Sequence, residues 1–152
     1  RTQAEDEFRK LYEESERYNL TSLDNAQAIT GLMFVRPTRG MLSSEFDANK
    51  KHFGIDVAAS PNESVLATLD GTVVLATYTA DTGYLIQVQH AQNLVSVYKH
   101  CGSLLKQVGD VVKAGEAIAL VGNTGEKTTG PHLHFEIWNR GRALDPTKYI
   151  VF

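Results

Sequence analysis

The chain has 152 residues, of which 42% are hydrophobic, and its formal net charge at pH 7 is -3. This length is enough for one domain with a buried core and short for two domains. The charge pattern has no basic face for nucleic acid, and no apolar run approaches the roughly 18 residues of a membrane span.

The first 30 residues differ in composition from the rest of the chain. They hold four Lys/Arg against seven Asp/Glu and therefore carry the whole net charge. Thr2 to Glu5 has capping-box spacing, and apolar residues recur at steps of three and four as far as Tyr18. We predict that segment 1–30 is an amphipathic helix followed by a linker. Its excess of acidic charge favours packing on the domain, or on an upstream coil, over contact with a membrane surface.

The sequence leaves the cellular compartment undecided. Cys101 is the single cysteine, so no internal disulfide can form, and we expect this side chain simply to pack. The chain begins at Arg1 and contains no signal-like apolar stretch. We therefore expect a fragment whose targeting or anchoring segment lies upstream.

From Gly31 onward, short β-rich runs alternate with turn residues such as Asp70-Gly71 and Thr82-Gly83. The predicted strands cover residues 65–69, 72–78, 84–89, 94–98, 117–121 and 132–138. This pattern predicts an antiparallel all-β domain over residues 31–152.

Two histidine phrases carry the chemistry: His52-Phe-Gly-Ile-Asp56 and Gly130-Pro-His-Leu-His-Phe-Glu136. Within a strand, His132 and His134 leave the same face about 6.8 Å apart, so one can hold a metal while the other reaches the water. His52 and Asp56 would lie roughly 13 Å apart in an extended chain, so a shared ion requires a bend, which Gly54 can supply. These groups suit a water-activating zinc site.

Other residues that could take part in catalysis or binding lie at strand ends or within strands. His100 closes the run that begins at Leu94, and loops that follow strands often carry catalytic groups. His90 also ends a strand, where we expect a structural role. Trp138 and Tyr84 either line a peptide groove or belong to the core. The helical His-Glu-x-x-His signature of other metalloproteases is absent.

At these residues the chain resembles the lysostaphin-type, or LytM-like, zinc metallopeptidases that cut cell-wall peptides. The resemblance runs from about Pro37 to Pro146 and rests on several motifs in order. They are His52-x-Gly-x-Asp56, Asp70-Gly-Thr-Val73, Tyr98-x-His100, Val108-Gly-Asp-x-Val-x-x-Gly-x-x-Ile118, Gly122-x-Thr-Gly125, Thr129-Gly-Pro-His-Leu-His-Phe-Glu136 and Asp145-Pro146. The resemblance implies an antiparallel barrel-sandwich hybrid fold, also called a duplicated hybrid motif.

The resemblance also implies a role for each site residue. His52, Asp56 and His134 would bind one catalytic Zn2+, while His100 and His132 would flank the water. The expected function is a zinc metalloendopeptidase acting on peptidoglycan stem peptides or crosslinks in the bacterial cell envelope. The bond that is cut, the histidine that acts as base, an inhibitory role for the N-terminal helix and the oligomeric state stay open.

The chain departs from the family pattern near the first zinc histidine. Ser44-Glu-Phe-Asp47 has Asp where many members have Gly, and an arginine often found before that histidine is missing, so substrate alignment is expected to differ.

Three alternative functions compete with the peptidase. A catalytically inactive member could act as a binding scaffold or amidase activator, but all five site positions are present. A sugar-uptake phosphocarrier would relay phosphate through a histidine pair without needing Asp56. A lipoyl or biotin carrier would share the hairpin Val108–Ile118, but no modifiable lysine occupies a hairpin tip between matching strands.

Overall fold

A computed structural model describes residues 3, 5, 6, 29, 31–125 and 130–152 of the chain. Gln3, Glu5 and Asp6 are helical, and the rest of the predicted amphipathic helix lies outside the described residues. Among the described residues, no helix is long and apolar enough to cross a membrane.

The described residues form ten strands, and every pairing between them is antiparallel. The strands are β1 (Met41–Ser44), β2 (Ile55–Ala58), β3 (Ser64–Leu66), β4 (Gly71–Thr79), β5 (Gly83–Gln89), β6 (Leu94–Leu104), β7 (Val111–Val112), β8 (Ala117–Val121), β9 (His132–Asn139) and β10 (Arg142–Leu144). Short 3-10 turns cover Ala48–Lys50, Ala91–Asn93 and Pro146–Lys148. The predicted antiparallel all-β fold is confirmed.

The strand order brings the two histidine phrases together. Neighbouring strands follow the order β1-β2-β9-β6-β5-β4-β7, while β10 pairs with β9, and β8 pairs with both β3 and β6. Strands β2 and β9 are adjacent although they are far apart in the sequence, and their register sets Asp56 opposite His134. One carboxylate and one imidazole therefore meet across a single strand pair.

Alternation along β9 divides its side chains between two faces of the sheet. Leu133, Phe135 and Ile137 belong to the main buried core, whereas His134 and Glu136 point to the opposite face. On that opposite face lies a smaller apolar cluster made of Leu85, Val95, Val97 and Trp138. His134 and Glu136 therefore lie on the same face of the sheet as this smaller apolar cluster.

Strand β6 departs from its prediction. It was predicted over 94–98 with His100 at its end, but it continues to Leu104, so the expectation that His100 closes the strand is wrong. His100 has a φ of 62° and lies where pairing passes from β9 to β8. Its backbone N–H donates to the carbonyl of Thr82 at 2.8 Å. The residue is an irregularity of the kind that re-aims a side chain within a sheet.

Candidate metal centre

Three side chains from two segments form a cluster suited to a metal ion. His52 Nε2 lies 3.3 Å from Asp56 Oδ2, and His134 Nδ1 lies 2.8 Å from Asp56 Oδ1. One ligand atom from each residue lies within 4.8 Å of the others. Two imidazole nitrogens and one carboxylate oxygen make a donor set that catalytic zinc sites use. The residues therefore fit a zinc ion by their chemistry.

The predicted bend between His52 and Asp56 is present at Gly54. A Cβ atom at Gly54 would lie 2.5 Å from the carbonyl oxygen of Phe135 and 2.7 Å from Cγ of Glu136. Glycine is needed because the loop backbone lies directly against β9. This contact brings the rings of His52 and His134 to a centroid separation of 5.3 Å.

Hydrogen bonds fix the orientation of both candidate ligand imidazoles. Nδ1–H of His52 donates to the carbonyl oxygen of Glu45 at 2.6 Å, which leaves Nε2 facing Asp56. Nε2–H of His134 donates to Glu136 Oε2 at 2.7 Å, while its Nδ1 faces Asp56. Partners of this kind hold a histidine ligand in one tautomer and increase its basicity.

The other two histidines form a second pair beside the cluster. Nδ1–H of His100 donates to the carbonyl of Thr124 at 2.7 Å, and Nδ1–H of His132 donates to the carbonyl of Gly130 at 2.9 Å. Their ring centroids are 5.1 Å apart, and Nε2 of His132 is 3.9 Å from Asp56 Oδ1. When such a ring is neutral and its hydrogen is on Nδ1, its Nε2 atom can accept a hydrogen bond or a proton.

The environments of the site residues shift their pKa values in different directions. Burial lowers the pKa of His100, and the nearby His134 and His132 add to this, so the His100 imidazole is neutral at pH 7. Burial alone would lower the pKa of His134 too, but hydrogen bonds to Asp56 and Glu136 outweigh it and raise that pKa to about 9. Burial would raise the pKa of Asp56, yet its hydrogen bond to His134 prevails and lowers it. In the metal-free chain, a proton therefore occupies Nδ1 of His134.

Sequence reasoning missed a buried ion pair beside the candidate ligands. Lys99 Nζ lies 3.0 Å from Glu136 Oε2, and Trp138 Nε1–H donates to Glu136 Oε1 at 2.7 Å. Lys99 is only 9% exposed; burial would lower its pKa, but Glu136 and Glu5 outweigh that and raise it. Glu136 could have been found from its position two residues after His134 on the strand. Lys99 occupies the variable position of Tyr98-x-His100, so only the pairing of β6 with β9 identifies it.

An open cleft of about 800 Å³ runs over this face. Three of the site histidines line it, namely His52, His100 and His134. The helical residues Glu5 and Asp6 line it as well. Trp138 lines the cleft and also packs in the smaller apolar cluster, so both interpretations of that residue apply.

Three other side chains considered from the sequence make contacts elsewhere in the fold. His90 is buried, with Nδ1 2.8 Å from the carbonyl of Asp70 and Nε2 2.7 Å from Ser96 Oγ. Cys101 is buried in the main core, as expected. Tyr84 is exposed, so its assignment to the core is wrong, and its ring packs edge-on against Tyr78 with ring centroids 5.0 Å apart.

Several known proteins are similar to this chain. The murein hydrolase activator NlpD of Escherichia coli K12 is 38% identical over 117 residues, which cover 75% of this chain and 30% of that protein. A zinc containing peptidase from Vibrio cholerae aligns with a TM-score of 0.68 at 32% identity, over 74% of this chain and 37% of that chain. The antimicrobial peptidase lysostaphin from Staphylococcus simulans aligns with a TM-score of 0.64 at 27% identity, over 72% and 48%.

These relatives are longer proteins. The chain spans 24% to 36% of the length of the first curated relatives that it matches. The sequence profile of Peptidase family M23 matches residues 50–146, a range that contains all five predicted site positions. The resemblance drawn from the histidine phrases is therefore confirmed, and the chain belongs to peptidase family M23.

Proposed function

We propose that this chain is a zinc-dependent metalloendopeptidase that hydrolyses peptide bonds in peptidoglycan stem peptides or crosslinks. The observation that carries the proposal is the convergence of three ligand groups beside two imidazoles with accepting Nε2 atoms. The proposed ligands are His52, Asp56 and His134, and the proposed catalytic residues are His100 and His132. The peptidase names of the two solved relatives support the reaction class.

The hydrogen bonds support this division of roles. A bound zinc ion would polarise the peptide carbonyl and lower the pKa of water. His52 and His134 offer ring nitrogens in fixed tautomers, and the low pKa of Asp56 keeps its carboxylate charged. His100 and His132 can then take a proton at Nε2 from the attacking water and pass one to the leaving amine.

The wall target and the location are also part of the proposal. A relative named as a murein hydrolase activator supports a peptidoglycan context, and we therefore assign the protein to the bacterial cell envelope. We further propose that residues 31–152 form the peptidase domain and that residues 1–30 are an attached helical segment.

The direct test combines metal analysis with digestion of cell walls. The purified chain should bind one zinc ion by elemental analysis and release peptide fragments from purified peptidoglycan, whose masses identify the bond. Walls from bacteria with different crosslinks should be compared, because the released fragments then report the substrate. A chain that holds a full equivalent of zinc and releases nothing from any wall would contradict the peptidase proposal.

The activator name of the NlpD relative favours a second candidate, a scaffold that stimulates a separate cell-wall amidase. The two functions can be separated with His132→Ala, because an activator needs no proton transfer in this cleft. Stimulation of amidase digestion that persists undiminished in His132→Ala, with no peptide cleavage by the parent chain, would establish the scaffold. Peptide cleavage by the parent that is lost in His132→Ala would establish the peptidase.

A further inference from the structure

A buried cation lies in the cleft in addition to the candidate metal ligands. Lys99 is on β6, directly opposite His134 of β9 in the register of the two strands. Its side chain lies on the face of the sheet that carries the site, and it lines the cleft. Any group bound at this ammonium is therefore held beside the metal cluster.

Lys99 contacts two carboxylates at once. Glu136 is 3.0 Å away and is part of the buried wall, where it also holds His134. The second carboxylate is that of Glu5, which forms an ion pair with the same ammonium and comes from the helical N-terminal residues. An ammonium has three donors, so it can keep Glu136 and still bind a further anion.

The rest of the cleft carries mostly acidic charge. Asp6, Asp81 and Glu136 line it, and the other lysine of the lining, Lys51, is exposed to solvent. A carboxylate could bind among these groups only where a cation compensates for their negative charge. The position of Glu5 on Lys99 marks that place.

We propose that Lys99 is a carboxylate-binding position of the cleft, which selects peptides with an acidic group close to the bond that is cut, and that Glu5 occupies it as an internal stand-in. The proposal rests on the peptidase function proposed above, since it names the substrate class of the same cleft. The ammonium is a compact charge without the planar fork of arginine, so it recognises the charge of a carboxylate from a side chain or a chain end.

Occupation by Glu5 has a consequence for affinity. A ligand that must displace an internal group binds with a reduced apparent affinity. This affinity is the intrinsic affinity multiplied by the fraction of chains whose site is open. Removing the Glu5 charge should therefore reveal the preference for carboxylates that the parent chain partly hides.

The test uses two blocked glycine pentapeptides that differ only in a central Glu or Gln. Their binding to the full-length chain is measured by calorimetry, with and without added zinc, and the mixtures are analysed by mass spectrometry for cleavage. Glu5→Gln should bind the Glu peptide about tenfold more tightly than the parent does, with the Gln peptide unchanged. The matched control is Glu116→Gln, which removes a carboxylate from the ion pair with Lys106 outside the cleft and should alter neither affinity.

A second variant tests the cation itself. In the Glu5→Gln background, Lys99→Met should bind the two peptides equally, whereas Lys99→Arg should keep the preference for the Glu peptide. Lys99→Met leaves Glu136 buried without its partner and endangers the fold. If circular dichroism shows that it is unfolded, the comparison of Glu5→Gln with Glu116→Gln decides alone.

The outcomes distinguish this proposal from the peptidase function. Equal affinity of Glu5→Gln for both peptides would overturn the carboxylate site, even if the chain digests peptidoglycan. A clear preference for the Glu peptide without any cleavage product from peptidoglycan would support the site and overturn the peptidase function instead.

Discussion

At the scale of single residues, His134 carries the most constrained chemistry of the centre. Each of its ring nitrogens faces a carboxylate oxygen, at 2.8 Å for Asp56 and 2.7 Å for Glu136. Two acceptors hold two protons, so the metal-free ring is an imidazolium with a pKa raised to about 9. A metal ion that binds at Nδ1 must first remove one of these protons.

The affinity for zinc should therefore depend on pH. Below the His134 pKa of about 9, binding displaces one proton, so the association constant should rise about tenfold per pH unit as the pH increases towards that value. Asp56 adds no slope near neutral pH because its pKa is lowered. Competition titrations with a chelator of known affinity at several pH values measure the slope. An affinity independent of pH over this range would contradict the displacement of a proton from His134.

The two histidines of the second phrase provide a matched pair of substitutions. His134→Ala should abolish stoichiometric zinc binding, because it removes one of three ligands. His132→Ala should keep the zinc and lower the rate of hydrolysis by about a hundredfold or more, since it removes a proton-transfer group. Elemental analysis and the rate of release of peptidoglycan fragments measure the two effects. Full zinc occupancy in His134→Ala would exclude our ligand assignment.

At the scale of elements, the loop before β2 and the irregularity in β6 bring the groups of the site together. The loop crosses β9 at Gly54, where no side-chain carbon fits. In β6, the positive φ of His100 aims its ring at the cleft, where its centroid is 6.3 Å from that of His134. Both features bend a strand or a loop so that side chains from different segments meet.

Gly54→Ala tests this close approach. The new methyl group would overlap the Phe135 carbonyl, so the loop must move away from β9, with a loss of about 2–4 kcal/mol in the free energy of unfolding and weaker zinc binding. The control is Gly102→Ala in β6, where the nearest atoms are 3.4 Å away and no strain arises. Its stability should change by about 0.5 kcal/mol or less. Urea unfolding of both variants measures the difference, and equal stabilities would contradict the close contact.

The elements also show what the sequence could predict. Alternation of apolar residues predicted β5 and β9 closely, because each has one face in the main core. The short edge strands Met41–Ser44 and Val111–Val112 were missed, since they have too few buried residues to show a pattern. The bulge at His100 was also missed, because it results from a change of pairing partner that no local pattern records.

The same distinction applies to the site. His52, Asp56 and His134 were expected as ligands from the family resemblance, and they do converge, because β2 and β9 are adjacent and the loop before β2 bends back towards β9. The ion pair of Lys99 with Glu136 depends on the register between β6 and β9 and was not predictable.

At the scale of the whole molecule, the side chains that stabilise the fold and those of the candidate site lie on different faces of the sheet. The main core, which includes Tyr98 and Phe135, lies on one face, and the candidate metal cluster lies on the other. Tyr98 also ties the core to a distant loop, since its hydroxyl accepts a hydrogen bond from the backbone N–H of Thr68 at 3.0 Å. The fold therefore does not depend on the cluster for its buried apolar contacts.

Removal of metal should weaken the protein without unfolding it. At a free zinc concentration a hundredfold above Kd, bound zinc should stabilise the native state by about 2.7 kcal/mol, so a chelator should lower Tm measurably. The chelated chain should still show a cooperative unfolding transition, since the main core is intact. Calorimetry on His134→Ala supplies the control, whose Tm should not respond to either zinc or chelator. Loss of the transition on chelation would mean that the metal holds the fold together.

The pairing of β2 with β9 joins residues that are 78 positions apart in the chain, as Asp56 and His134 are. Contacts between such distant segments are slow to form, because a long loop must close before they contribute any stability. The ligand set is thus complete only when that pairing has formed, and an unfolding chain loses it when the pair opens. We infer that zinc acts on the lifetime of the folded protein, by slowing unfolding, and leaves the speed of folding nearly unchanged.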